Sequence, residues 1–221
     1  MQPDLLDILN FSTLALLEQY NQKSDTQKKI ILAAMEAFSD KGFAGTTTAS
    51  LAKLANVTEK TMFKHFRSKD HLYYEVTIYA ILNLINPDSL KRLTSLPATG
   101  IEDSADSLKR FFRFIVKEGN QKKAIFKFVC QELLLNETFR TILYNQLYAT
   151  MVQPAFEQFI TRAQAHEQIS RQSPDKITRH ILMTLIGFLM TRNILIKDHD
   201  FDDEDEIEYL TDVLFYGFGN V

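Results

Sequence analysis

The chain is predicted to be all-α, a three-helix helix-turn-helix head followed by a larger helical body, on three observations. Apolar residues recur at three- and four-residue steps along most of the 221 residues, a spacing that gathers them on one stripe of a helix. No convincing period-2 alternation, the mark of a half-buried strand, breaks the pattern. Between two apolar stripes stands Ala55-Asn56-Val57-Thr58, the length of the turn in a helix-turn-helix.

The elements follow in order. Leu5, Leu6, Ile8, Leu9, Phe11, Leu14, Leu16 and Leu17 predict an amphipathic helix over residues 4–22, so residues 1–23 are set apart as an extra N-terminal segment. With Lys23 as its lone lysine and no basic face, the segment suits packing on the head or on a partner subunit better than a DNA-reaching arm or a membrane surface. Ser24 and Gln27 form a capping-box pattern that opens the first helix of the head, whose stripe is Ile30, Ile31, Ala34 and Phe38. Lys41-Gly42 closes it, Gly42 being free to take the left-handed conformation of a helix end. Thr46, Thr47 and Thr48 offer N-caps for the second helix, with Leu51, Ala52, Leu54 and Ala55 as its apolar positions. Thr58 suits the N-cap of a third helix anchored by Met62, Phe63 and Phe66, whose early residues would face a nucleic-acid groove. Ser68 caps a fourth, which runs until Asn86-Pro87 stops it. The head is therefore bounded at residues 24–68 and the body at 69–221.

In the body, residues 88–103 hold Pro97 and Gly100 and read as a short helix plus a loop. Helices are expected at about 104–119, 121–135, 138–165, 175–197 and 205–218. Pro154 should kink the third of these, because it removes a backbone donor and crowds the preceding turn. Ser173 and Pro174 supply the cap and the first position of the next.

Composition narrows the function classes. The net charge is −3 with a pI near 6.0, so nothing global marks a polyanion partner. Residues 25–75 nevertheless carry eight basic side chains against six acidic ones, a modestly basic head on an acidic body. The single Cys130 forbids an intramolecular disulfide and points to a reducing, cytoplasmic setting. Its apolar run makes it a buried, inert thiol, with a redox or ligand-sensing role as the alternative. No stretch approaches the roughly 18 apolar residues of a membrane span, and Asp4 and Asp7 stand where a signal peptide would be positive. His65, His71, His166, His180 and His199 make no close ligand pair, and no nucleophile-elbow, P-loop or dinucleotide glycine pattern occurs; neither an enzyme nor a cofactor is expected. Asp198, Asp200 and Asp202 have the start of a calcium-loop spacing, but Asp203 and Tyr209 fill the positions that need Gly and Glu, so the run reads as a solvated connector and no metal is expected.

Residues 26–75 resemble the N-terminal domain of the TetR (tetracycline-repressor-like) family of bacterial transcriptional regulators. The likeness rests on Ala34 to Phe38, the KGFAGTTT segment, Leu51-Ala52, Val57-Thr58, Thr61 to Phe66, and Ser68-Lys69-Asp70 with Leu72. It implies that the head binds DNA. Thr47 and Thr48 would hold a phosphate at the start of the second helix, while Lys60, Thr61 and Lys64 would lie on the recognition helix, Lys60 donating to guanine. His65 and Lys69 match family contacts to the DNA backbone. Phe63 occupies the position of a phosphate-binding tyrosine and lacks its hydroxyl; Asn56 replaces the turn glycine, and Ala49 removes a side chain that some relatives use against a base.

The resemblance further implies a homodimer and a sensor pocket. Ile181, Leu185 and Phe188, with Ile207, Leu210, Leu214 and Phe218, are the expected dimer interface, since a helix apolar on several faces must be covered on several faces. Burial within one subunit is the alternative. The pocket candidates are Phe111, Ile115, Phe126, Cys130, Tyr144, Tyr148 and Met151, an apolar set with a few hydroxyls that plain core would also explain. The implied function is a ligand-responsive regulator, a repressor that binds a palindromic double-stranded DNA operator as a dimer and is released by a small apolar or amphipathic effector. The rival is a helical interaction module that kept the fold and lost sequence-specific DNA binding.

Overall fold

A computed structural model describes residues 13–84, 91–92, 95, 104–196 and 202–217. Among them there is helix and no strand. The chain forms two compact units, one from Met1–Asn86 with Ala124–Gln146, the other from Pro87–Lys123 with Leu147–Val221. The first therefore takes in more than the predicted head of residues 24–68.

Helix α1 (Thr13–Asn21) is the described part of the extra N-terminal segment; residues 4–12 lie outside the described residues. It packs on the later helix α5 (Lys69–Leu84), burying Leu16 and setting the Tyr20 ring 5.3 Å from that of Tyr79. Helix α2 (Asp25–Lys41) opens with the full capping box, Gln27 N–H donating to Ser24 Oγ at 3.3 Å and Ser24 N–H to Gln27 Oε1 at 3.0 Å. It ends at Gly42, whose φ of 70° favours glycine. Helices α3 (Thr48–Leu54) and α4 (Glu59–His65) follow, N-capped by Thr47 and Thr58.

These pieces hold one another through a common core. Ile30, Ile31, Met35, Phe38, Leu51, Met62 and Phe66 are fully buried, each contributing about 1.5–3 kcal/mol by leaving water. The turn between α3 and α4 closes as a Schellman motif: Val57 N–H donates to Ala52 O at 2.9 Å and Asn56 N–H to Lys53 O at 3.0 Å. Asn56 adopts the required positive φ, 53°.

The same unit carries α7 (Lys123–Leu135) and α8 (Glu137–Leu143). Phe128 of α7 meets Phe139 of α8 edge-on and lies 6.0 Å from Tyr73 of α5. Beside these rings Tyr73 OH donates to buried Glu132, and Asn136 Nδ2 donates to Glu132 Oε2 at 3.0 Å and to Tyr73 Oη at 3.2 Å. Burial first, then the Glu132 carboxylate, push the Tyr73 phenol well above its ordinary value.

In the second unit α6 (Ser104–Gln121) packs on α11 (Asp203–Tyr216), and α10 (Pro174–Met190) packs on α9 (Gln153–Ala165) and on α6. Phe111 and Phe156 meet edge-on at 5.8 Å in its core. The predicted 138–165 helix is continuous but not uniform: nine residues, Tyr144–Val152, widen into π-helical turns just before Pro154. That is the distortion left where the proline removes a donor and crowds the turn before it. A second π segment, Thr191–Leu195, follows α10. Pro174 takes the first position of α10 as expected, but Ser173 makes no side-chain cap bond. Asp202 caps α11 through Glu204 N–H at 2.8 Å, placing the acidic run at a helix start. The expected end of α5 at Asn86-Pro87 and most of residues 88–103 lie outside the described residues.

Candidate nucleic-acid interface

The site is the outer side of α3, α4 and the turns beside them. Met62 and Phe66 point inward and fix the rotation of α4, so Lys60, Phe63 and Lys64 face solvent, Phe63 being 42% exposed. Thr58 Oγ1 accepts from Thr61 N–H at 3.0 Å, and the two threonine hydroxyls lie 2.9 Å apart. Thr61 is thus turned toward the helix start and only half exposed. His65 is half-buried, its ring 6.5 Å from that of Phe66.

Thr47 and Thr48 begin α3. Thr47 is exposed; its Oγ1 accepts from Ser50 N–H at 3.1 Å, and Thr47 N–H donates to Ser50 Oγ at 3.1 Å. This capping box was missed in the sequence, because serine stands where the usual pattern has Glu or Gln. Gly45 is needed just upstream: a Cβ there would run into the Lys41 carbonyl.

Lys69 is engaged inside the protein. Its Nζ donates to Phe43 O and, at 2.6 Å, to Thr46 O, and lies 4.2 Å from the centre of the Phe43 ring. Thr46 Oγ1 also donates to Phe43 O, at 2.9 Å. The lysine clasps the α2–α3 connection, and with it the cap residue Thr47. Sequence could not show this, since the carbonyls are 26 and 23 residues away. Two cations not singled out before, Lys53 on α3 and Arg67 just after α4, are exposed on the same elements, where Glu59 is the exposed acid of α4.

The other predicted sets fare differently. Ile181, Leu185 and Ile207 are buried inside their own unit, so as interface residues they are corrected: their stripes face α9 and α6. Phe188, Leu210 and Leu214 are half-buried, and Phe218 lies outside the described residues. The exposed apolar side of α10 is instead Met183 (59%) and Ile186 (47%), with half-buried Met190, at i, i+3 and i+7. The pocket set divides between the units, with Phe126, Cys130 and Tyr144 in the first and Phe111, Ile115, Tyr148 and Met151 in the second. Tyr144 is 57% exposed and Phe111 is core. Burial pushes the Cys130 thiol up, away from thiolate chemistry. Among the described residues no three His, Cys, Asp or Glu side chains gather as metal ligands, and no helix is long and apolar enough to cross a membrane.

Comparison with known proteins bears on the same residues. Residues 30–76 match the family described as bacterial regulatory proteins, tetR family. The uncharacterised HTH-type transcriptional regulator YvkB of Bacillus subtilis (strain 168) is 45% identical over 47 residues, which span 21% of this chain and 25% of that protein. A candidate fatty acid metabolism regulator from Clostridium perfringens has a similar fold, with a TM-score of 0.65 at 22% identity over 86% of this chain and 98% of that one. AibR, solved with isovaleryl coenzyme A and operator DNA, gives 0.66 at 16% identity, again over 86% and 98%.

Proposed function

From the match of residues 30–76 to the tetR family of bacterial regulatory proteins, we propose that this chain is a ligand-responsive transcriptional regulator, a repressor that binds a palindromic operator as a homodimer. The observation that carries the reading is the presentation of α4: Met62 and Phe66 lock it to the core while Lys60, Phe63 and Lys64 stand free of it. Lysines so placed neutralise phosphates or donate to guanine in the major groove. Phe63 offers a ring to thymine methyls or sugar where a hydroxyl would have met a phosphate. Thr47 adds an exposed hydroxyl at the start of α3, and Lys69 acts through the loop it clasps.

The dimer would use the exposed side of α10, with Met183 and Ile186 as its apolar contacts. Two heads would then read half-sites about 34–36 Å apart. A small apolar or amphipathic effector, bound in the helical body, releases the operator by its differential affinity for two head spacings. The chain passes between the units at residues 86–87, 123–124 and 146–147, which supplies three covalent routes for such coupling. A similar fold solved with both a coenzyme A thioester and operator DNA supports the pairing of the two ligands.

The test is titration of DNA from the gene's own neighbourhood across a salt series. Lys60→Ala and Lys64→Ala should each weaken binding, and any one that contacts phosphate should shallow the log–log salt slope by about one unit. Absence of sequence-preferring binding by the unaltered protein would favour the interaction-module reading instead.

A further inference from the structure

We propose that a cleft in the second unit, lined by none of the residues expected to line a pocket, binds a small amphipathic monoanion: an apolar tail carrying one carboxylate. The cleft has a volume of about 320 Å³ and lies among the start of α6, the loop before α10, the first turns of α10 and the last turn of α11. That is the low end of the range for small-molecule sites, roughly 300–1,000 Å³. Leu108, Ile177, Ile181 and Val213 give it an apolar floor, and Leu108 and Ile181 belong to the core, so the floor is rigid.

Charge selects the occupant. Among the described residues Lys176 and His180 line the cleft and no carboxylate does. The nearest acids in sequence are already paired: Asp212 lies 3.0 Å from Lys109 Nζ, and Asp175 accepts from Arg179. Lys176 Nζ donates to Gln172 Oε1 at 3.2 Å, which keeps the ammonium at the cleft and leaves two of its three hydrogens for a ligand. His180 Nδ1 lies 2.8 Å from the Lys176 carbonyl oxygen, which can only accept, so Nδ1 carries the hydrogen; Nε2 then accepts in the neutral ring and donates to a carboxylate only in the protonated one, which leaves Lys176 as the cleft's standing donor. An apolar floor beneath one ammonium suits a carboxylate with a short aliphatic or aromatic tail. A cation there would face Lys176, with no acid among the described lining residues to receive it.

The proposal deepens the regulator reading, on which it rests only for naming this ligand the effector. Calorimetric titration of the full chain with octanoate, octanol and octylamine tests it. Octanoate should bind once per chain, with octanol and octylamine weaker by about tenfold or more, the worth of a charge-assisted hydrogen bond. Lys176→Met should weaken octanoate about tenfold and leave octanol unchanged, a ratio that a general loss of fold would not produce. Ser170→Trp, at an exposed loop position lining the cleft, should block both ligands without lowering the melting temperature. Octylamine binding as well as octanoate, octanoate failing to bind, or octanoate untouched by Lys176→Met overturns the site. Octanoate bound in the cleft without release of operator DNA keeps the site and overturns its role as effector, and operator binding by itself judges the regulator reading separately.

Discussion

Lys69 has three N–H donors, and two of them go to the carbonyls of Phe43 and Thr46. The family resemblance puts a phosphate on this ammonium; the fold puts it on the backbone of a loop. The two roles differ in what salt does. A phosphate contact releases a counterion, so its loss shallows the salt dependence by about one unit, whereas loss of an internal clasp lowers affinity evenly at every salt concentration. We expect Lys69→Met to destabilise the protein by about 1 kcal/mol, since these hydrogen bonds are only half-buried. Operator affinity should fall with the slope unchanged, and Lys69→Arg should restore part of it. Denaturant melts and a salt series of operator titrations check this. A slope shallower by one for Lys69→Met would return the residue to the DNA backbone.

Where α1 meets α5, a buried charge cluster does what propensity alone cannot. Lys23 Nζ sits 2.9 Å from Glu75 Oε2, both side chains under a tenth exposed, outside hydrogen-bond alignment, so charge holds the pair. His71 joins through Nε2, 3.7 Å from Glu75 Oε1, while Arg67 N–H donates to its Nδ1 at 3.2 Å. Burial lowers the His71 pKa; Glu75 opposes this, and Lys23 and Arg67 add to the lowering. The unfolded histidine takes up a proton below its ordinary value of about 6.5 while the folded one resists, so stability is lost as pH falls from there toward the folded value. Thermal melts between pH 7.5 and 5.5 should show this loss and His71→Gln should flatten it; an equal loss in the variant would exonerate His71. Elements of this kind divide by how local their cause is. The capping box at Ser24, the cap at Thr58, the left-handed Asn56 and the proline start of α10 were legible, because each is decided within four residues. The bonds that tie Tyr73 to Glu132 and Asn136, and the Lys69 clasp, were not, because their partners stand 23 to 63 residues apart. A π segment also escapes periodicity, since its apolar spacing reads as ordinary helix.

At the scale of the whole molecule, the same limit governs the proposed dimer. Helix α10 is apolar on several sides, so its sequence alone allows any of them to be the outer one: the stripe of Ile181, Leu185 and Phe188 suits an interface, and burial within one subunit suits it too. Packing against α9 and α6 decided the matter, burying Ile181 at 1% and Leu185 at 5% exposure and leaving Met183 and Ile186 outside. On the proposed reading, this face would serve to pair two chains so that two heads meet one palindrome. Ile186→Asp places a charge where a partner's apolar side would lie, yet at 47% exposure it removes little from the subunit's own core. Light scattering should give the unaltered protein twice the 25.5 kDa chain mass and the variant the chain mass itself, with the head's helices intact by circular dichroism. Operator affinity should then drop by roughly 10²–10⁴, the advantage of binding the second half-site from the same molecule. A variant that stays dimeric would move the interface off this side of α10, and one that becomes monomeric without losing affinity would separate DNA binding from pairing altogether.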